Sequence, residues 1–217
     1  PNQLSNIQFP LYPALIHLAT PLFGDSVRAG LVLSNVFSIM ALCLLFDLIA
    51  RLYDASVAQR ALLLCLAFPT AFFFSLVYSE SLFLLLVVIF FQFLFRGWLG
   101  WAALPAALLP LSRAPGALIV LPFFAYYLVE EVRFGEPGAV GRLLSPRVLL
   151  IGSPVVGVVV YLAFMRTATG NAFDLVRGAA SNGSNFSPTL ALHPIRLWQQ
   201  LTAGPLEIHG VTDSIID

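Results

Sequence analysis

The sequence predicts an all-α fold, a polytopic transmembrane helical bundle. Of its 217 residues, 59% are hydrophobic and 10% charged, and the mean hydropathy is +0.90, far above that of an average soluble domain. Several apolar runs meet or approach the roughly 20 residues that one membrane span requires. No single soluble core absorbs so many of them.

The elements follow in order along the chain. "FPLYPALIHLATPLF", from Phe9 to Phe23, is short and carries three prolines after its first residue, so it reads as an oblique or short helix entering the membrane. Val27 to Tyr53 reads as a full span with Arg51 and Asp54 at its wet end. "DASVAQR" then reads as a polar break, and "ALLLCLAF" leads into Pro69, which disfavours helical geometry at Phe68. A second helix is expected to start near "VYSE" and to run to Arg96. Gly97 to Arg113 and Pro115 to Phe134 form a further pair joined at "SRAPG", and Val148 to Met165 reads as one last span. Taken together, 1–217 reads as a single transmembrane domain with about six to seven membrane-embedded helices within 9–165. The polar, Gly- and Ser-rich remainder, 166–217, is expected to be an external loop.

Formal net charge is zero and every basic residue is Arg, scattered without the basic stripe that a nucleic acid would need. Cys43 and Cys65 lie inside apolar runs and read as small buried hydrophobes. His17, His193 and His209 stand too far apart in sequence for metal-ligand spacing, while a role for a divalent metal stays open. The densest basic connection, "VRFGEPGAVGRLLSPR", belongs in the cytoplasm by the positive-inside rule. Alternation then puts residues 1–10, "VYSE", "SRAPG" and the C-terminal loop together on the external face.

That convergence selects the candidate residues. Glu80 is a carboxylate at a helix start near membrane depth, where an unpaired charge is costly. It reads either as an acid, base or substrate ligand, or as part of a helix cap with Ser79 and Ser81. Arg113 offers planar, multidentate hydrogen bonds to phosphate oxygens, or else is an arginine snorkelling at a helix end. Tyr78 adjoins Glu80, and Gln8 and Tyr12 precede or open the first helix, where an aromatic belt is the alternative. Asn171 and Asp174 could line an aqueous cleft or lie on a solvated helix face. Asp47 is placed to pair with Arg51 one turn later. A Walker loop, a dinucleotide fingerprint and a nucleophile elbow are all missing from the sequence.

In order along the chain, "FPLYPALIHL", "SNVFSIMALCLLFDLIARLY", "FPTAFFFSLVYSESLFLLL", "LSRAPGALIVLP" and "TGNAFDLV" resemble the bacterial relatives of the PIG-V type mannosyltransferases, which include the second mannosyltransferase of GPI-anchor synthesis. The likeness covers Phe9 to about Trp198, and "FPTAFFFSLVYSES" is its most specific block. It implies a GT-C type fold in a multi-pass protein of a bacterial cell membrane, with the active site facing outward. The donor would be a polyprenyl-phosphate-linked hexose, typically mannose, and the acceptor a glycan or glycolipid hydroxyl; no other cofactor is implied with certainty. On that reading Arg113 meets the lipid-linked phosphate and Glu80 is an acidic group of the external cleft. The resemblance also implies a catalytic Asp in an external loop just upstream of "FPLYP", where this chain has only "PNQLSNIQ". With no starting Met, the chain therefore reads as a piece of a longer protein, with spans expected at both ends. A transporter or flippase for a polar or lipid-linked solute is the alternative reading, and a non-catalytic membrane subunit a third.

Overall fold

The computed structural model describes residues 9–134 and 146–170 together with the strand residues 207–208 and 211–212. The chain divides into a unit from Ile7 to Phe164 and a second unit made of Pro1–Asn6 with Met165–Asp217. In the second unit, β1 (Glu207–Ile208) pairs antiparallel with β2 (Val211–Thr212), with Ile208 opposite Val211.

Among the described residues, helices are the only regular elements of the first unit, the last of them running past its end at Phe164. Its elements are α1 (Leu11–Phe23), α2 (Ser26–Leu52), α3 (Ala55–Ala67), a 3-10 segment (Pro69–Phe74), α4 (Glu80–Leu94), α5 (Leu99–Ser112), a second 3-10 segment (Ala114–Ile119), α6 (Val120–Phe134), α7 (Pro146–Ile151) and α8, which starts at Ser153 and ends at Thr169. Among the described residues, only α2, with 27 residues, is long and apolar enough to cross a bilayer unaided.

Local chemistry sets the helix ends. Gly24 takes the left-handed conformation (φ 72°) and returns its N–H to Thr20, closing α1. Asp25 then caps α2 by accepting from the Arg28 N–H, and Asp54 caps α3 by accepting from the Val57 N–H at 2.8 Å. "DASVAQR" is thus the capped start of a helix rather than a break. Phe68 is extended (ψ 134°) before Pro69, which ends α3 as the sequence predicts. Gly97 (φ 74°) stops α4, with Trp98 N–H bonded to Phe93.

Two further expectations are corrected. Val148–Met165 is not one helix: the turn at Gly152 separates α7 from α8, because Pro154 lacks the N–H that would continue the helix. Cys43 is exposed and Cys65 half-buried. In a membrane helix the outward face is apolar as well, so apolar neighbours in sequence do not mark a buried position.

The core is built on stripes of helical period. Leu82, Leu86, Phe90 and Leu94 of α4 pack against Leu99, Ala102, Ala103, Ala106 and Leu109 of α5, and Ile119, Phe123 and Tyr127 close the far side. Phe90 and Phe123 meet edge to face at 5.2 Å. Ala102 and Ala106, fully buried, let α4 and α5 approach closely. Large apolar side chains such as Leu22, Leu64, Leu104 and Leu149 point outward, as lipid-facing residues would. The antiparallel α4–α5 hairpin brings the start of α4 beside the end of α5, and that is where the unusual polar residues lie.

Candidate functional site

Glu80 is the first residue of α4 and Arg113 is the C-cap of α5. Each sits at the helix end whose dipole favours its charge. Arg113 Nη1 is ion-paired with Glu80 Oε1, the two side chains being 37% and 26% exposed. Glu80 Oε2 is buried and has no hydrogen-bond partner among the described residues. Ser79 makes no side-chain cap, so helix capping does not account for this carboxylate. Its main partner comes from another helix.

The backbone leading into Glu80 is irregular from Ser75 to Ser79, and such backbone at membrane depth must find its hydrogen bonds elsewhere. The middle of α2 supplies them. Ser38 Oγ donates to the Phe74 carbonyl at 2.5 Å, and Asn35 Nδ2 donates to the Ser75 carbonyl at 3.3 Å. Ser34 Oγ comes within 3.5 Å of the Tyr78 carbonyl and 2.5 Å of the Tyr12 hydroxyl, which also donates to the Gly30 carbonyl at 3.1 Å. Each hydroxyl carries one hydrogen, so with Tyr12 donating to Gly30, Ser34 donates to Tyr12. The 3.5 Å approach to Tyr78 is then the weakest of these contacts.

The sequence candidates are therefore distributed as follows. Glu80 and Arg113 are in direct contact. Tyr12, buried at 5% exposure, has its hydroxyl engaged by Gly30 and Ser34 of α2. Tyr78 is 49% exposed and its ring meets Phe73 edge-on at 5.2 Å. Gln8, Asn171 and Asp174 lie outside the described residues. Sequence reasoning missed Ser34, Asn35 and Ser38; the available signal was the polar pair Ser34 and Ser38, one turn apart inside an otherwise apolar span.

A second polar cluster joins the same two helices at the opposite end of α4. Asp47 pairs with Arg51 at 2.6 Å, as their spacing predicts. Gln92, 5% exposed, donates to the Leu44 carbonyl at 2.9 Å and to Asp47 at 3.0 Å, and also accepts from Arg51. Arg96 stands 3.9 Å from Asp47 and lies over the Trp98 ring. Among the described residues, no three His, Cys, Asp or Glu side chains gather as a metal site would need.

The family described as dolichyl-phosphate-mannose-protein mannosyltransferase matches residues 8–158, which takes in α1 to α7, Glu80 and Arg113. Comparison with curated proteins and with solved structures gave no match.

Proposed function

Since the chain belongs to the dolichyl-phosphate-mannose-protein mannosyltransferase family, and is thus a membrane glycosyltransferase of the GT-C type, we propose that it moves a hexose from a polyprenyl-phosphate-linked donor to an acceptor hydroxyl at the external face of a bacterial cell membrane. The sugar we propose is mannose, following the family and the PIG-V-like wording of its motifs. The observation that carries the reading is the Glu80–Arg113 pair at adjoining helix ends.

A lipid-linked donor presents its sugar phosphate at the membrane boundary. The 15 residues of α4 rise about 22 Å, less than the roughly 30 Å of a bilayer's hydrocarbon. With Arg51 and Arg96 at the cytoplasmic interface, Glu80 and Arg113 come to lie just below the outer one. In the reaction the acceptor oxygen attacks the anomeric carbon while the bond from that carbon to the phosphate oxygen breaks. The electron pair leaves with polyprenyl phosphate, and the acceptor proton passes to a carboxylate. Arg113 is placed to hold the phosphate and to stabilise the charge that develops on it. Glu80 orients the acceptor hydroxyl for that transfer, as a second acidic group beside the loop Asp that the resemblance implies as principal base.

Transfer of labelled mannose from a polyprenyl-phosphate donor, assayed in membranes carrying the full-length protein, tests this reading. Wild-type transfer, sharply reduced in both Glu80→Gln and Arg113→Ala, is expected. Transfer that survives both substitutions removes these residues from the site, and wild-type membranes that transfer nothing overturn the activity itself.

A further inference from the structure

Tyr161 of α8 is 9% exposed, and its hydroxyl oxygen is fully buried without a hydrogen-bond partner among the described residues. A hydroxyl in that position is unfavourable unless something else bonds to it, because water has been removed and nothing has replaced it.

The surroundings of Tyr161 point to what that is. Its ring stacks on Phe9, with centroids 5.2 Å apart and planes 21° from parallel. Phe9 stands just before α1, three residues from Tyr12, whose hydroxyl meets Ser34 Oγ, itself 3.5 Å from the Tyr78 carbonyl ahead of Glu80. A second line of contacts runs through α5. A Cβ on Gly157 would overlap the Ala107 carbonyl oxygen and lie 3.2 Å from Pro110 Cδ, so α8 is packed directly on the last turns of α5. Tyr161 is one turn from that crossing on α8, and Arg113 is about one turn from it on α5. Both lines of contact lead from Tyr161 toward the end of the bundle that holds the Glu80–Arg113 pair, where Glu80 Oε2 is a second buried oxygen with no hydrogen-bond partner among the described residues.

We propose that Tyr161, backed by Phe9, is a sugar-binding residue of this site, its hydroxyl bonding a hydroxyl group of the donor hexose; the inference rests on the glycosyltransferase reading above. A hexose has hydroxyls that both donate and accept, together with apolar C–H faces. A wall of two stacked rings bearing one unpaired hydroxyl suits that chemistry, being mostly apolar with a single polar group that fixes orientation. A bare phosphate, by contrast, gains nothing from such a wall. Tyr161 therefore separates recognition of the sugar from recognition of its lipid phosphate.

The test uses the full-length protein in lipid nanodiscs with two probes, polyprenyl-phosphate mannose and polyprenyl phosphate alone. In Tyr161→Phe, the dissociation constant for the mannosylated lipid is expected to rise about 5- to 15-fold, the effect of one lost hydrogen bond, with that for polyprenyl phosphate unchanged. The ligand-free Tm should stay level or rise, since the substitution removes an unsatisfied hydroxyl. Phe9→Leu, which keeps apolar bulk but loses the ring, should likewise weaken only the mannosylated lipid. Unchanged binding, equal weakening of both lipids, or a fall in the ligand-free Tm of Tyr161→Phe would overturn the inference while leaving the glycosyltransferase reading intact. Wild-type protein that binds neither lipid would overturn both.

Discussion

Arg113 and Glu80 meet across the adjoining ends of α5 and α4, and the helix dipoles favour both charges where they stand. Partial exposure on both sides places their coupling between that of a surface pair and a buried one, about 1–2 kcal/mol in a double-mutant cycle read by thermal unfolding. In steady-state kinetics, Glu80→Gln should lower kcat roughly 100-fold or more, the scale on which a proton-transfer or oxyanion partner acts, with donor binding nearly unchanged. Arg113→Ala should instead weaken the donor, and Arg113→Lys should recover part of that loss, because an ammonium keeps the charge without the planar fork. Identical profiles for the Glu80 and Arg113 variants would argue that the pair is only structural.

Gly116 sets the turn that presents Arg113. Its N–H bonds the Arg113 carbonyl at 2.9 Å, and a Cβ there would overlap the Leu109 carbonyl and come within 2.8 Å of Pro110 N. The obstacle is backbone, so no side-chain rotation relieves it. Gly116→Ala should destabilise by about 3 kcal/mol, at the upper end for overpacking, and lower transfer with it. Gly100, inside α5 with nothing within 4 Å of an added Cβ, is the control, and Gly100→Ala should be neutral or stabilising by about 0.5–1 kcal/mol. Differential scanning fluorimetry on the two variants decides the comparison.

The hydroxyls of α2 support the irregular backbone ahead of Glu80. Ser38→Ala leaves the Phe74 carbonyl without its 2.5 Å donor and should cost about 1–2 kcal/mol. Tyr12→Phe removes the bond to Gly30 and the contact with Ser34 and should cost a similar amount, again about 1–2 kcal/mol. Both variants should lower kcat through a displaced Glu80 more than they raise the donor KM. Unfolding and kinetics measured on the same preparations would expose a discrepancy.

Gln92→Leu isolates stability from chemistry. The amide bridges α4 to the Leu44 carbonyl and to Asp47, and its loss should cost about 2 kcal/mol. Gln92 stands three turns along α4 from Glu80, about 18 Å away, so transfer per folded molecule should match the wild type. A specific activity that falls along with Tm would show that the two ends of the α2–α4 pair are coupled.

Much of this arrangement was legible in the chain. Pro69 ends a helix, and Asp47 meets Arg51 by spacing alone, whereas the caps by Asp25 and Asp54 went unread and "DASVAQR" passed for a break. Glu80 and Arg113 stood out because charge is rare in so apolar a chain. The break at Gly152 was missed because the apolar run on both sides of it is continuous, and hydropathy does not register a lost backbone hydrogen bond. Cys43 was misplaced because apolar surroundings say nothing of which face meets protein and which meets lipid.

By itself, the sequence determined which segments are apolar, where Pro69 stops a helix, and which few residues carry charge among them. All of these follow from interactions within about one turn of the chain. Only the tertiary structure decided that Arg113 is the partner of Glu80, that Asn35 and Ser38 serve carbonyls some forty residues away, and that Phe9 lies on Tyr161. Those pairings depend on the relative heights at which whole helices pack. Apolar helices show little contrast between their faces, so their register is set by where buried polar groups can satisfy one another across helices.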